Sequence, residues 1–184
     1  MCCQYKLGLE EYFNKRAEKT KGQEAFIEYT KNKIIYPNKT SPVITLKNGI
    51  QEVTLKKWGF KSFDGKPIIN AREETIREKA MFKGYEKHRC VIPIVGFFEW
   101  SKDGVHTKYY FSFRDNTIYY LVCIYDVFDN FVVITRTPND EMINIHDRMP
   151  LLLKEEEIIN YLSNKLDIKD IKNMMDMNLV IDKA

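Results

Sequence analysis

Apolar residues crowd the middle of this chain and thin out towards both ends. Residues 90–99 (CVIPIVGFFE) are almost continuously apolar, as expected of a strand buried on both faces. Three further runs follow, at 107–113 (TKYYFSF), 117–127 (TIYYLVCIYDV) and 130–136 (NFVVITR), all rich in β-branched and aromatic residues. Asp103-Gly104 and Asp129-Asn130 supply turns between successive runs. Shorter strands are predicted over 43–46 and 51–57, after a turn-rich connection from Tyr36 to Pro42. The flanks read differently. Residues 9–33 are highly charged and mostly helical in pattern. A helix is predicted over 73–83, with Ile76, Ala80 and Phe82 towards the core. Short helices fit 139–145, 154–163 and about 168–176. These elements predict an α+β fold, a central antiparallel barrel-like sheet flanked by short helices, in a single domain of 184 residues. Its polar motifs lie within residues 2–150, and 151–184 reads as a helical C-terminal segment.

Composition narrows the class. With 44% hydrophobic and 13% aromatic residues the chain can build a core and is not a disordered protein. It has no apolar run of about 18 residues to span a membrane, and no basic stretch leading into an apolar one as in a signal peptide. A cytoplasmic monomer is expected. The four cysteines, Cys2, Cys3, Cys90 and Cys123, form no CxxC pair and have no His at zinc-site spacing. No metal, cofactor or disulfide is therefore expected, and Cys90 and Cys123 read as core residues. The net charge of +3 hides an asymmetry. Residues 1–90 carry 19 Lys and Arg against 11 Asp and Glu (+8), and residues 91–184 carry 10 against 15 (−5). A basic half suits a polyanionic partner, and it equally suits a solvated lysine-rich surface.

The candidate chemistry begins at the second residue. Met1 is followed by the small side chain of Cys2, and removal of Met1 is expected to leave an N-terminal cysteine. Its free amine and thiol on adjacent carbons can capture an aldehyde as an imine and then as a thiazolidine. Three polar clusters lie downstream. In INAREET (69–75), Asn70 and Arg72 share a side if the segment is extended. The alternative is a helix start capped by Asn70, with Glu73 completing a capping box. In GFFEW (96–100), Glu99 sits where desolvation raises a carboxyl pKa towards the range of a general acid or base. The alternative is an exposed or Arg-paired glutamate at a strand end. In HDRMP (146–150), His146 is one of three histidines and is suited to proton shuttling. Here the alternative is a capping His followed by an Asp-Arg surface pair.

In this order and at this spacing, the motifs resemble the SRAP (SOS-response-associated peptidase) family of abasic-site processing proteins. The matching elements are Cys2, Trp58-Gly59, Asn70-Ala71-Arg72 with Glu74-Thr75, Arg89-Cys90, Gly96 to Trp100 and His146 to Pro150. The resemblance implies recognition of abasic sites in single-stranded DNA and a covalent thiazolidine link through Cys2 after Met1 is removed. It also implies an autoprocessing peptidase activity. It assigns Cys2 as nucleophile, Glu99 to proton transfer during imine formation, His146 to opening the sugar ring and to reversal, and Asn70 to positioning. Arg72 and Arg148 would contact phosphates, Trp58 and Trp100 would stack against bases, and Thr135 would touch DNA. The chain departs from the family's Cys-Gly-Arg-Phe start, reading Cys2-Cys3-Gln4-Tyr5, so a cation is missing at Gln4 and Lys6 is the nearest substitute. Two other readings stand beside this one: a non-catalytic single-stranded DNA binder, and a thiol peptidase acting on other proteins.

Overall fold

The computed structural model describes residues 2–14, 23–31, 33–114, 117–172 and 179–184. The first half supplies strands β1 (Gln4–Leu7), β2 (Ile34–Ile35), β3 (Thr40–Lys47), β4 (Ile50–Trp58), β5 (Phe60–Lys61), β6 (Pro67–Ile68) and β7 (Asn70–Arg72). The second half supplies β8 (Arg89–Trp100), β9 (Lys108–Phe113), β10 (Tyr119–Tyr125), β11 (Asn130–Arg136), β12 (Met149–Pro150), β13 (Leu152–Leu153) and β14 (Leu179–Lys183). Two short helices, α1 (Leu9–Asn14) and α2 (Ile158–Leu162), pack outside.

Five of these strands form a nearly closed ring. β10 pairs with β11, β11 runs parallel to β4, β4 pairs with β3, β3 touches β8 at Ile44 and Val91, and β8 returns to β10. The 12-residue β8 closes it because its two halves serve different neighbours. Arg89 to Ile94 pair with β10, and Gly96 to Trp100 pair with β9 on one edge, while Ile94 to Phe98 pair with β1 on the other. The apolar run seen in the sequence is thus a strand with partners on both edges, buried along almost its whole length. Asn48-Gly49 makes the β3–β4 hairpin, with φ of 52° and 80°, the double-positive geometry of a type I′ turn. Asp126 closes the β10–β11 hairpin by accepting from the backbone N–H of Phe128 and of Asn130, both at 2.9 Å.

The predicted central strands all form, some extended and others trimmed at their ends (117–127 is strand only over Tyr119–Tyr125), and the sheet is mixed rather than purely antiparallel because β11 runs parallel to β4 and β7. Outside the centre several expectations change. Residues 73–83 form a succession of turns, not a helix. The Glu73 N–H is drawn to the Thr135 carbonyl at 3.0 Å, so the β7–β11 ladder runs on through the point where a helix would begin. Ile76 and Phe82 are buried as predicted, but Ala80 is exposed. Residues 139–145 are also turns, held by Asn139 Oδ1, which accepts from the Met142 N–H at 3.2 Å. The 154–163 helix is a short 3-10 turn running into α2. Of 9–33, α1 and a 3-10 turn over Gln23–Tyr29 are described, and 15–22 lie outside the described residues. Of 168–176, Ile168–Asp170 is a 3-10 turn and residues from 173 lie outside the described set. The C-terminal segment ends as a strand, because Leu179 and Ile181 alternate against Phe113 and Phe111 of β9.

Candidate active site

Strand alternation sorts the GFFEW residues. Phe97 and Glu99 share one face of β8, where Phe97 stacks on Phe111 with centroids 5.0 Å apart. Phe98 and Trp100 share the other, where Phe98 meets Tyr110 at 4.7 Å. Glu99 is therefore a carboxyl pulled inward by the strand, only 2% exposed. Its Oε1 accepts from the Trp100 N–H at 3.2 Å and lies 3.7 Å from His146 Nε2. That separation is too long for a direct hydrogen bond and short enough for strong electrostatic coupling.

β7 delivers Asn70 to the same place. It is an extended residue paired in parallel with Val133, so it does not cap a helix, and the Glu73 carboxylate goes to Arg136 at 2.9 Å instead of closing a capping box. Asn70 Nδ2 donates to the Cys2 carbonyl at 2.9 Å, joining residues 68 positions apart. Its Oδ1 is buried with no hydrogen-bond partner among the described residues, an acceptor held ready inside the site. Cys2 itself is fully buried. The structure thus brings together Cys2, Asn70, Glu99 and His146.

Burial and charge tune these groups. The Cys2 thiol is pushed well above its usual range by burial first and by Glu99 and Cys3 next. Cys3, half-buried, is pushed up to about 11 by burial and then by Glu99. His146 is held below the usual histidine range, chiefly because its surroundings desolvate the imidazolium, against the opposing pull of Glu99. The Arg148 N–H donates to His146 Nδ1 at 3.0 Å, so in this arrangement the ring proton sits on Nε2, facing Glu99.

The other sequence candidates fall into two groups. Arg72 is exposed at the end of β7, and Trp100 is half-buried on the outward face of β8. Trp58, Thr135 and Arg148 are internal. Trp58 has no exposed surface. Its indole N–H donates to the Ile69 carbonyl at 2.9 Å, and its ring lies against Tyr5 and stacks on Phe131. Thr135 Oγ1 donates to the Ala71 carbonyl at 3.4 Å. Arg148 grips Glu74 through two bonds of 2.6 and 2.9 Å and the Thr135 carbonyl at 2.6 Å, so both terminal nitrogens of its guanidinium are occupied by the protein.

Three residues escaped the sequence reading. Lys108 stands opposite Trp100 in the β8–β9 register, its Nζ 4.4 Å from the Phe98 ring centre and 5.3 Å from that of Trp100. The register is centred on Gly104, one residue off the count across Asp103-Gly104, which would have paired Trp100 with Thr107. Glu74, the partner of Arg148, lay unassigned within its motif. Lys102 pairs with Asp147 beside His146. Among the described residues no cluster of three or more His, Cys, Asp or Glu is arranged to hold a metal. No described helix is long and apolar enough to cross a membrane.

Fold and site together define a β-barrel protein in which a buried carboxyl–histidine pair and an asparagine close on the chain's own first residues. The chain belongs to the SOS response associated peptidase (SRAP) family, which it matches over residues 1–180. It is 30% identical over 124 residues to the abasic site processing protein YedK of Escherichia coli, covering 61% of this chain and 56% of that one. It is 31% identical over 119 residues to the abasic site processing protein YoqW of Bacillus subtilis, covering 59% and 53%. The matched region thus spans about half the length of these relatives. Among solved structures, a protein from Bacteroides thetaiotaomicron superposes with a TM-score of 0.80 at 22% identity, over 99% of this chain and 91% of that one. A protein from Bordetella bronchiseptica superposes with a TM-score of 0.74 at 16% identity, over 100% and 99%. Both likenesses concern the fold.

Proposed function

We propose that this protein processes abasic sites in single-stranded DNA by forming a covalent link through Cys2, exposed as the N-terminal residue once Met1 is removed. The observation that carries this reading is the convergence of Asn70, Glu99 and His146 on the Cys2 segment, with Asn70 Nδ2 2.9 Å from the Cys2 carbonyl. That bond holds the Cys2 backbone by its carbonyl, which supports a role for the amine that a terminal Cys2 would carry. The names of the curated relatives support the substrate.

The chemistry follows from the tuning. The open form of an abasic sugar presents an aldehyde. A terminal amine, with an ordinary pKa of about 7.7–8, keeps a minor fraction, about a tenth, unprotonated near neutrality, whereas the buried Cys2 thiol stays protonated. The amine therefore attacks first and gives a carbinolamine. Glu99 protonates the departing hydroxyl, water leaves, and an imine forms. The thiol then adds to the imine carbon while its proton passes to the nitrogen, closing the thiazolidine with one water lost overall. His146 exchanges protons with the sugar oxygen during ring opening and reversal. Asn70 Oδ1 is the acceptor that holds the terminal amine or the sugar.

DNA lies against the outward face of β8 and β9 in this proposal. Trp100 and Tyr110 offer partly exposed aromatic surface there, over the buried Phe98, and Lys108 and Lys6 offer positive charge, Lys6 Nζ lying 6.0 Å from the Tyr110 ring centre. Lys108 and Lys6 stand in for the cation missing at Gln4, and Arg72 contributes from the end of β7. Arg148 acts by holding Glu74 and the Thr135 carbonyl in place, and Trp58 acts as core beneath β7. Incubation with abasic single-stranded DNA should give a species that survives heat and detergent. Its absence with protein confirmed to begin at Cys2 sinks the proposal. The peptidase activity named in the family description is tested by the release of residues placed ahead of Cys2.

A further inference from the structure

The HDRMP motif contains one charged residue to which neither the fold nor the proposed reaction assigns a task. Asp147 does not pair with its neighbour Arg148, whose guanidinium is committed to Glu74 and the Thr135 carbonyl. It turns the other way, placing Oδ1 3.1 Å from His146 Nδ1 and forming an ion pair with Lys102. Lys102 is itself fastened to this loop, because its backbone N–H donates to the Ile145 carbonyl at 3.1 Å. The β8–β9 hairpin therefore carries both Glu99, facing His146 Nε2, and Lys102, holding the carboxylate beside Nδ1.

His146 Nδ1 thus has two competitors within about one hydrogen-bond length. The Arg148 N–H, at 3.0 Å, requires Nδ1 to be an acceptor. The Asp147 carboxylate, an ion-pair contact at 3.1 Å, favours a proton on Nδ1. The first arrangement leaves the proton on Nε2, so that His146 offers a donor to the reaction centre. The second places the proton on Nδ1 and turns Nε2 into a free lone pair, or, with both nitrogens protonated, stabilises the imidazolium. We propose that Asp147, held by Lys102, is a positioning residue that selects the tautomer and stabilises the protonated form of His146, allowing one imidazole to act as base in sugar-ring opening and as acid in reversal. This rests on the covalent reading given above. Lys102 also keeps the Asp147 carboxyl below its usual range, so the partner stays anionic wherever His146 titrates. The charged groups facing His146 among the described residues are Glu99 from β8, Lys102 from the β8–β9 turn and Asp147 on its own loop.

The test is 15N-histidine NMR of the full chain across pH, which is tractable because there are only three histidines. In the wild type His146 is expected to show a substantial population protonated at Nδ1. D147A is expected to shift the neutral ring to the Nε2–H tautomer and move its protonation midpoint to lower pH. D147N, which keeps a neutral acceptor, should restore the Nδ1–H population without the charge. On abasic single-stranded DNA, D147A should lower the crosslinking rate about 3–10-fold with unchanged DNA affinity, and D147E should recover most of it. An unchanged tautomer and midpoint in D147A overturns the inference. A wild type that shows the tautomer response and no crosslink leaves Asp147 in its place and overturns the covalent reading instead.

Discussion

Replacing Arg148 with Met separates a structural clamp from a phosphate-binding arginine. The side chain is 9% exposed and spans three acceptors: both oxygens of Glu74 and the Thr135 carbonyl. The Thr135 carbonyl lies on a fully buried residue, and losing a charged donor there costs about 1.5–3 kcal/mol. Glu74 is 42% exposed, so solvent screens its share, which is about 0.5–1 kcal/mol. R148M should therefore lose about 2–4 kcal/mol at pH 7, read by urea unfolding with an unchanged m-value. The two parts separate with pH. Arg148 holds the Glu74 carboxyl below its usual range, so that part of the stability is fully present above the unfolded value of about 4.3 and disappears as pH falls through the folded one. The gap between wild type and R148M should begin to narrow as pH falls below about 4.3, by at most about 0.5–1 kcal/mol, and the Thr135 part should persist. A loss below about 1 kcal/mol at pH 7, together with a reduced salt dependence of DNA binding, would show that Arg148 is a phosphate ligand and refute the clamp.

Other consequences can be checked in the same protein. N70A should slow crosslinking about 10–100-fold while changing stability by about 1 kcal/mol or less; equal losses in rate and stability would make Asn70 merely structural. W58A should cost about 3–5 kcal/mol as a core deletion, and W58F, which loses the indole bond but leaves the Ile69 carbonyl its other donor, the Val133 N–H at 3.0 Å, should leave DNA affinity unchanged; a large affinity loss in W58F would restore Trp58 as a base platform. His146 is depressed by burial, so the unfolded chain binds its proton more readily. Stability should therefore fall as pH drops through the unfolded value of about 6.5 towards the folded one, and H146N should flatten that part of the pH–stability curve.

The central strands were legible because β8, β10 and β11 are apolar for a single reason, burial between partners on both edges. The helix expected at 73–83 failed because its pattern, with Ile76 and Phe82 inward, is satisfied equally by turns once the Thr135 carbonyl has captured the Glu73 N–H. That capture is a contact between residues 62 positions apart, and no local pattern contains it. β14 was missed for a similar reason, since its alternation matters only against β9. In the site, motif order pointed to Cys2, Asn70, Glu99 and His146, but not to how they meet. Whether Arg148 faced outward or inward depended on Glu74, and whether Trp58 was a platform or core depended on Tyr5 and Phe131. Side-chain type alone does not separate those outcomes. Counting across the Asp103-Gly104 turn from Trp100 reaches Thr107, one residue short of Lys108, because the hairpin register is centred on Gly104.

The central claim is that Cys2, as the terminal residue, joins covalently to an abasic site. Intact mass spectrometry before and after incubation with abasic single-stranded DNA tests it most directly. The account predicts a starting mass lacking Met1 and a product equal to protein plus DNA minus one water, absent in C2A and undiminished in C3A. Protein that begins at Cys2 and gains no mass, or an adduct that forms equally well in C2A, would contradict it.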